Sequence, residues 1–270
     1  MEDAPKRPSP TMERPHVVLV GAGASYAAFP NGERSGRRLP VMNNLVEIVG
    51  LTDILEEAGV KHGNQNFEAL YSSLAADSEN DALLRRIEGR VFDYFAAMRL
   101  PDPPSLYDHL VLSLRAKDVI VTFNWDPFLI QAIGRTQHIA PPPSVLFLHG
   151  NVALGFCIDH RPALLGNRGS VCSTCGRAYQ PSRLLYPVSE KNYSQDPFLA
   201  MAWRDVQGVL KNAFLLTIFG YGAPESDVEA VELLRQGWGE KRQFEEIEII
   251  DIKPEDELRR TWEPFIFGGH

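Results

Sequence analysis

The stretch PHVVLVGAGAS, Pro15 to Ser25, carries more information about the fold than any other in the chain. Val17 to Val20 is a β-branched and aliphatic run, suited to a parallel strand buried on both faces. It leads directly into Gly21-Ala22-Gly23-Ala24-Ser25. Two glycines separated by one small residue let the backbone turn sharply and approach a ligand closely. A helix after such a turn aims its free N–H groups and its dipole at an anion such as a pyrophosphate. The pattern stops short of G-x-G-x-x-G, because Ser25 and Tyr26 stand where the third glycine would be. No acidic residue closes a clean strand about 20 residues later, as a dehydrogenase-type site expects. An ordinary tight strand-to-helix turn accounts for the stretch equally well.

The surrounding chain has 270 residues, enough for a sizeable core, and 44% of them are hydrophobic, as in a globular protein. No apolar run approaches the roughly 20 residues of a membrane span. Residues 1–14, polar and proline-rich, read as a flexible arm with no secretory character, so a cytoplasmic location is expected. The formal net charge of −8 argues against broad electrostatic binding of nucleic acid. Three cysteines suggest metal or thiol chemistry over a disulfide framework.

Strand-like runs recur at Val119 to Phe123, Val145 to Leu148, Phe214 to Phe219 and Ile247 to Ile252. They alternate with helical or charged segments, which implies an α/β fold with a Rossmann-like, doubly wound parallel sheet. Residues 26–38 read as a loop. Helical spacing follows over Asn43 to Ala58, Phe67 to Ala76, Asp81 to Met98 and Ser105 to Arg115. Ser105 suits an N-cap, with Asp108 in the first turn. A helical insertion over 40–116 is therefore expected. Residues 151–185 hold all three cysteines without periodicity. The tail, Trp262 to Phe267, is apolar, and either docks on its own domain or contacts a second subunit.

In open α/β sheets ligands bind at the carboxyl ends of the strands. The proposed strands end in GAGAS, in Asn124-Trp125-Asp126, in His149-Gly150-Asn151, in Gly220-Tyr221-Gly222, and near Asp251, with Lys253 just beyond. Small or polar residues thus gather at one edge. His149 precedes Gly150, where the backbone can bend and leave the imidazole exposed. It could serve as general base, orient a ribose hydroxyl, or merely cap a loop. Asn124 could hold a water or a hydroxyl, or serve as a turn residue. Asp126 could hold an amide, or cap a helix starting near Pro127.

The cysteines form two short pairs. Cys157 and His160 make C-x2-H, and Cys172 and Cys175 make C-x2-C followed by Gly176. Two such knuckles separated by a loop fit a tetrahedral Cys3His structural zinc site, giving a small zinc-binding module over 151–185. The other reading is a reduced C-x2-C beside an unrelated buried Cys157, with His160 exposed.

The order GAGAS, TFNWD, LHGN, cysteine knuckles, FGYGAPESD, IIDIKPED resembles the sirtuin superfamily over roughly residues 16–255. The resemblance implies a sirtuin-like NAD-binding domain over 15–270. Gly21, Ala22, Gly23 and Ser25 would cradle the NAD phosphates. Asn124 and Asp126 would lie by the nicotinamide and its ribose, and His149 would be the catalytic histidine. Gly220, Tyr221 and Asp227 would lie on the diphosphate and ribose side, and Asp251 near the adenine ribose.

Departures refine this expectation. Protein-deacylating sirtuins follow the glycine turn with a Gly-Ile-Pro-Asp-Phe-Arg stretch, where this chain has YAAFPNGERSGRRLPVMNNL. Besides His160 at one zinc-ligand position, the peptide-clamping Phe-Gly-Glu is replaced by Tyr186 to Lys191, and the glycine-serine element of the late loop by GYGAPESD. These changes resemble the divergent sirtuin-like domains of bacterial anti-phage defence systems, which cleave NAD. The resemblance thus implies an NAD hydrolase releasing nicotinamide and ADP-ribose, an NAD-depleting effector woken by a partner. By the same analogy a homo-oligomer and a HerA-type ATPase partner are expected. An NAD-dependent deacylase and a non-enzymatic nucleotide-binding assembly subunit are the alternatives.

Overall fold

The computed structural model describes residues 13–63, 65–160, 165–187, 197–223, 227–239 and 246–266. The first strand, β1 (His16–Val20), runs into helix α1 (Ala22–Ala28), so the helix starts inside the glycine turn and the following loop begins only at Phe29. The helical segment before the next strand comprises α2 (Leu45–Val49), α3 (Thr52–Glu57), α4 (Phe67–Ala75), α5 (Asp81–Ala96) and α6 (Leu106–Ser113). The single helix expected over Asn43 to Ala58 is broken. Gly50 takes a left-handed φ of 72° and closes α2, and its N–H returns to the helix carbonyls. Helix α5 buries Leu83, Leu84, Ile87, Val91 and Phe95, spaced to fall on one face.

The chain continues through β2 (Val119–Thr122), α7 (Phe128–Thr136) and β3 (Ser144–Phe147). Three short strands follow, β4 (Leu154–Phe156), β5 (Leu165–Asn167) and β6 (Gln180–Pro181). They form an antiparallel sheet in the order β5-β4-β6, which the irregular composition of 151–185 conceals. The chain then enters α8 (Pro197–Asn212), β7 (Leu215–Phe219), α9 (Val228–Trp238), β8 (Glu246–Ile250) and α10 (Glu255–Ile266).

The main sheet is parallel throughout, in the order β3-β2-β1-β7-β8. It is the Rossmann-like, doubly wound arrangement expected from the sequence. The chain builds outward from β1 on one side, then returns and builds outward on the other, so the order reverses between β1 and β7. Side chains of β1 alternate between two cores. Val18 and Val20 join Ile120, Phe128 and the buried faces of the helical segment. Val17 and Leu19 join Val119, Val121, Leu216 and Ile218 under α8 and α9. A strand covered on both faces must be apolar at every position, which is why the VVLV run is so informative.

Trp262 of α10 is fully buried in the second core, beside Tyr221 at a ring separation of 6.0 Å. The tail docks on its own domain at this residue, so Trp262 is not a surface contact for a second subunit. The side chains of 264–267 lie outside the described residues, as do residues 1–12 of the arm. No helix among the described residues is long and apolar enough to cross a membrane.

Candidate functional site

A cavity of about 490 Å³ opens where the loops after all five parallel strands converge, a size suited to a small molecule or cofactor. Ala22, Gly23 and Ser25 reach it from the turn after β1, and Phe123 to Asp126 from the loop after β2. His149 comes from beyond β3, Gly220 to Gly222 from beyond β7, and Lys253 from beyond β8. Asp227, at the start of α9, completes that wall. Of the residues proposed for NAD from the sequence, only Gly21 and Asp251 do not line the cavity. Asp251 instead accepts from the N–H of Lys253 at 3.0 Å, closing its own turn.

The glycines have a structural cause that the sequence reading did not contain. The turn after β1 and the turn after β7 interlock. Gly21 N donates to Phe219 O at 3.0 Å, and Gly23 N donates to Gly220 O at 2.9 Å. A Cβ on Gly21 would stand 2.5 Å from Gly220 O, and one on Gly220 would stand 2.1 Å from Ala24 N. Gly220 also has φ +59°, in the left-handed region. The amides of Gly21 and Gly23 are thus committed to backbone carbonyls. The phosphate cradle expected from them is reduced, with Ala22 the exposed residue of the turn.

Beneath the cavity lies a buried polar group. Asn124 Nδ2 donates to Gly21 O and to Ser25 Oγ, both at 2.9 Å. Ser25 Oγ donates to Asp126 Oδ2 at 2.6 Å and lies 2.6 Å from the hydroxyl of Tyr107. Asp126 Oδ1 accepts from the N–H of Phe128 at 3.2 Å, so this aspartate also serves the start of α7. All four side chains are buried. Burial pushes the Asp126 carboxyl up to about 6, against the pull of its Ser25 and Phe128 hydrogen bonds. Burial, and then the Asp126 charge, drive the Tyr107 phenol well above its ordinary range. Among the described residues no cation forms a salt bridge with Asp126.

The opposite wall is aromatic. Phe123 and Tyr221 stack at 4.2 Å with their planes 8° apart, and the His149 ring meets Phe123 edge-on at 4.7 Å. His149 is 7% exposed, which corrects the expectation of an exposed imidazole. Gly150 does bend the chain there, with φ +74°, but a Cβ would lie 1.9 Å from Arg183 O, so the turn is covered by the segment after β6. His149 Nε2 lies 4.0 Å from Asp227 Oδ1, and Asp227 Oδ2 accepts from the Tyr221 hydroxyl at 3.1 Å. Asp227, expected on the diphosphate and ribose side, faces the histidine across this distance.

Two features escaped the sequence reading. Tyr107 reaches the buried group from α6, whose spacing reads only as a helix. Leu39 to Asn43, from the stretch that replaces Gly-Ile-Pro-Asp-Phe-Arg, line the cavity together with Asn66 and Glu68 from the start of α4. Phe123 and Trp125, which the sequence places at the carboxyl end of the second strand, line the cavity from there. Residues 188–191, in the stretch that replaces the peptide clamp, and 224–226 of GYGAPESD lie outside the described residues.

The cysteine module has a compact donor cluster. One ligand atom each from Cys157, His160, Cys172 and Cys175 lies within 4.8 Å of every other. Cys157 Sγ is 3.6 Å from Cys175 Sγ, and His160 Nδ1 is 3.1 Å from Cys157 Sγ and 3.6 Å from Cys172 Sγ. A tetrahedron with zinc–sulfur bonds of about 2.3 Å has edges of about 3.8 Å, so spacing and donor chemistry both suit zinc. Asp159 is held by Arg177 at 2.9 Å and lies 4.0 Å from Cys175 Sγ, the place of an outer-shell carboxylate.

No protein-family model matches the chain, and no curated protein matches it. Among solved structures it is similar to a Sir2 homolog–NAD complex, at 14% identity and a TM-score of 0.41, covering 92% of this chain and 90% of that one. It is also similar to Sir2 bound to acetylated peptide, at 16% identity and a TM-score of 0.40, covering 93% and 92%. A third is Sir2Tm bound to a propionylated peptide, at 15% identity and a TM-score of 0.40, covering 93% and 92%. Likeness of this degree fixes no activity. What this chain can do must come from its own cavity.

Proposed function

We propose that the chain binds a nicotinamide dinucleotide and hydrolyses its N-glycosidic bond, releasing nicotinamide and ADP-ribose. The observation that carries the reading is Asp126, a buried carboxylate that lines the cavity without a salt-bridge partner among the described residues. Near pH 7.5 a carboxyl of pKa about 6 is mostly ionised, and a buried unpaired charge is costly. A ligand that brings a positive charge relieves that cost. The nicotinamide ribosyl group is such a cation, and it stays cation-like as its glycosidic bond breaks.

The residues then take roles their positions allow. Asn124, its amide nitrogen held by Gly21 and Ser25, presents its oxygen side to the ribose or to an attacking water. His149 relays the proton released as water adds to the ribose, and Asp227 steadies the imidazolium. The Phe123–Tyr221 stack gives the ligand an apolar wall that excludes bulk water. Zinc on Cys157, His160, Cys172 and Cys175 would hold the small sheet together and take no part in the reaction.

The motif order adds the biological reading: an NAD-depleting effector of anti-phage defence, assembled as an oligomer and woken by a HerA-type ATPase. Purified chain incubated with NAD, with and without such a partner, tests it. Nicotinamide and ADP-ribose should appear in equal amounts. Acyl-ADP-ribose formed only with an acylated peptide would make the chain a deacylase, and bound but intact NAD under every condition would make it an assembly subunit.

A further inference from the structure

Tyr107 is the member of the buried polar group that comes from α6, in the helical segment between β1 and β2. Its side chain is fully buried and lies behind the cavity wall, with its ring 6.0 Å from Phe29 and 6.3 Å from Phe128. Those rings fix where the phenol sits. What the hydroxyl does follows from counting hydrogens. Gly21 O can only accept, so the Asn124 atom 2.9 Å from it is the amide nitrogen. Its second hydrogen is shared between Ser25 Oγ at 2.9 Å and the Tyr107 oxygen at 3.3 Å. The one hydrogen of Ser25 goes to Asp126 Oδ2. A single lone pair remains on Ser25 Oγ, and the Tyr107 hydroxyl, 2.6 Å away, fills it by donating.

The support of this tyrosine is also built in. Ser105 caps α6 in a reciprocal box with Asp108. Arg135 of α7 donates through Nε to Asp108 at 2.8 Å, makes a second contact through Nη2, and reaches Pro101 O through Nη1 at 2.7 Å. Helix α7 starts two residues after Asp126. The elements carrying Tyr107 and Asp126 are therefore braced against each other.

We propose that Tyr107 is a positioning residue of the site: its donated hydrogen bond holds the Ser25 hydroxyl on Asp126 and, through Ser25, sets the amide of Asn124. The helical segment then contributes to the chemistry as well as covering the sheet. This inference rests on the reading of the site as the place of glycosidic cleavage. A hydroxyl that itself receives a hydrogen bond is the better donor, so Tyr107 strengthens the Ser25–Asp126 bond and favours the ionised carboxylate. The titratable groups sharing the cavity with Asp126 are Glu68, His149, Tyr221, Asp227 and Lys253. None of them is bonded to its carboxyl.

Tyr107→Phe keeps the ring and removes the hydroxyl. With NAD as the probe, kcat should fall about tenfold or more while KM changes less than about twofold. The acid limb of the kcat–pH profile should move up by about half a pH unit or more. The carboxyl of Asp126, followed by carbon NMR with Asp126→Asn to assign its resonance, should titrate higher by the same amount, whatever reaction the site performs. An unmoved Asp126 midpoint together with an unchanged kcat overturns the proposal. If the wild-type chain releases no nicotinamide, the NAD reading falls, and the NMR midpoint alone decides Tyr107. Should Tyr107→Phe fail to fold, labelling the wild-type chain with 3-fluorotyrosine, a stronger donor, must lower the Asp126 midpoint; no change overturns the role.

Discussion

Asp126→Asn tests the electrostatics of the site without any ligand. The carboxyl is buried and titrates near 6 in the folded chain, against an ordinary value of 3.8. Between those values the folded chain keeps a proton that the unfolded chain has released, so raising the pH favours unfolding. The loss begins near pH 4, grows through the folded midpoint, and is complete above about pH 7. Moving the midpoint from 3.8 to about 6 costs the ionised fold about 3 kcal/mol in all, most of it between pH 4 and pH 7.5. The asparagine has one acceptor oxygen where the aspartate has two, one for Ser25 and one for the Phe128 N–H. That lost bond costs about 1 kcal/mol at every pH. Urea denaturation at about pH 4 and about pH 7.5, followed by tryptophan fluorescence, should therefore show a crossing pattern. The variant should be the weaker protein at the lower pH and equal or better at the higher. A stability difference that stays constant to within about 0.3 kcal/mol across the two would refute the buried carboxylate with a raised midpoint.

Other perturbations separate the site from its scaffold. Gly220→Ala places a Cβ against Ala24 N at φ +59° and should lower stability by about 2 kcal/mol or more, read as a drop in Tm. Asp227→Asn should reduce nicotinamide release by about tenfold to a hundredfold, with binding of NAD largely kept, as seen in kcat against KM. Cys172→Ala should abolish stoichiometric zinc by elemental analysis and lower Tm, and a chelator should do the same to the wild-type chain.

The centre of the sheet was legible because β1, β2 and β7 are largely buried and carry near-continuous apolar runs, while the half-exposed edge strand β8 shows only as an isoleucine-rich run. Every parallel strand is visible in the sequence to within about two residues of its observed ends. The short strands β4, β5 and β6 are not, since Leu154–Phe156 and Gln180–Pro181 are too brief to show a period. The cluster of Cys157, His160, Cys172 and Cys175, which could hold a metal, was legible because tight knuckles are local in sequence. Tyr107 was not, because its role depends on a contact across 82 positions to Ser25, and on a helix its spacing says only that it is buried. His149 was placed correctly after its strand but not in its setting. The cover over Gly150 comes from Arg183, a contact no local pattern announces.

The glycines show why the case for a dinucleotide should not rest on them. Gly21, Gly23 and Gly220 are required by the close approach of two backbone turns, and they would be required in a protein that bound nothing. That approach nonetheless has a functional consequence. It draws the loops after β1 and β7 together at the point where strand order reverses, and Gly21 O is the acceptor that orients Asn124. An interlock that serves packing thus sets the direction of an amide in the cavity. A substitution at Gly21 should damage stability and turnover together, whereas Asn124→Ala should remove turnover and leave the interlock, and most of the stability, in place. If Asn124→Ala instead unfolds the chain as Gly21→Ala does, the buried polar group belongs to the scaffold, and the argument for chemistry at Asp126 loses its support.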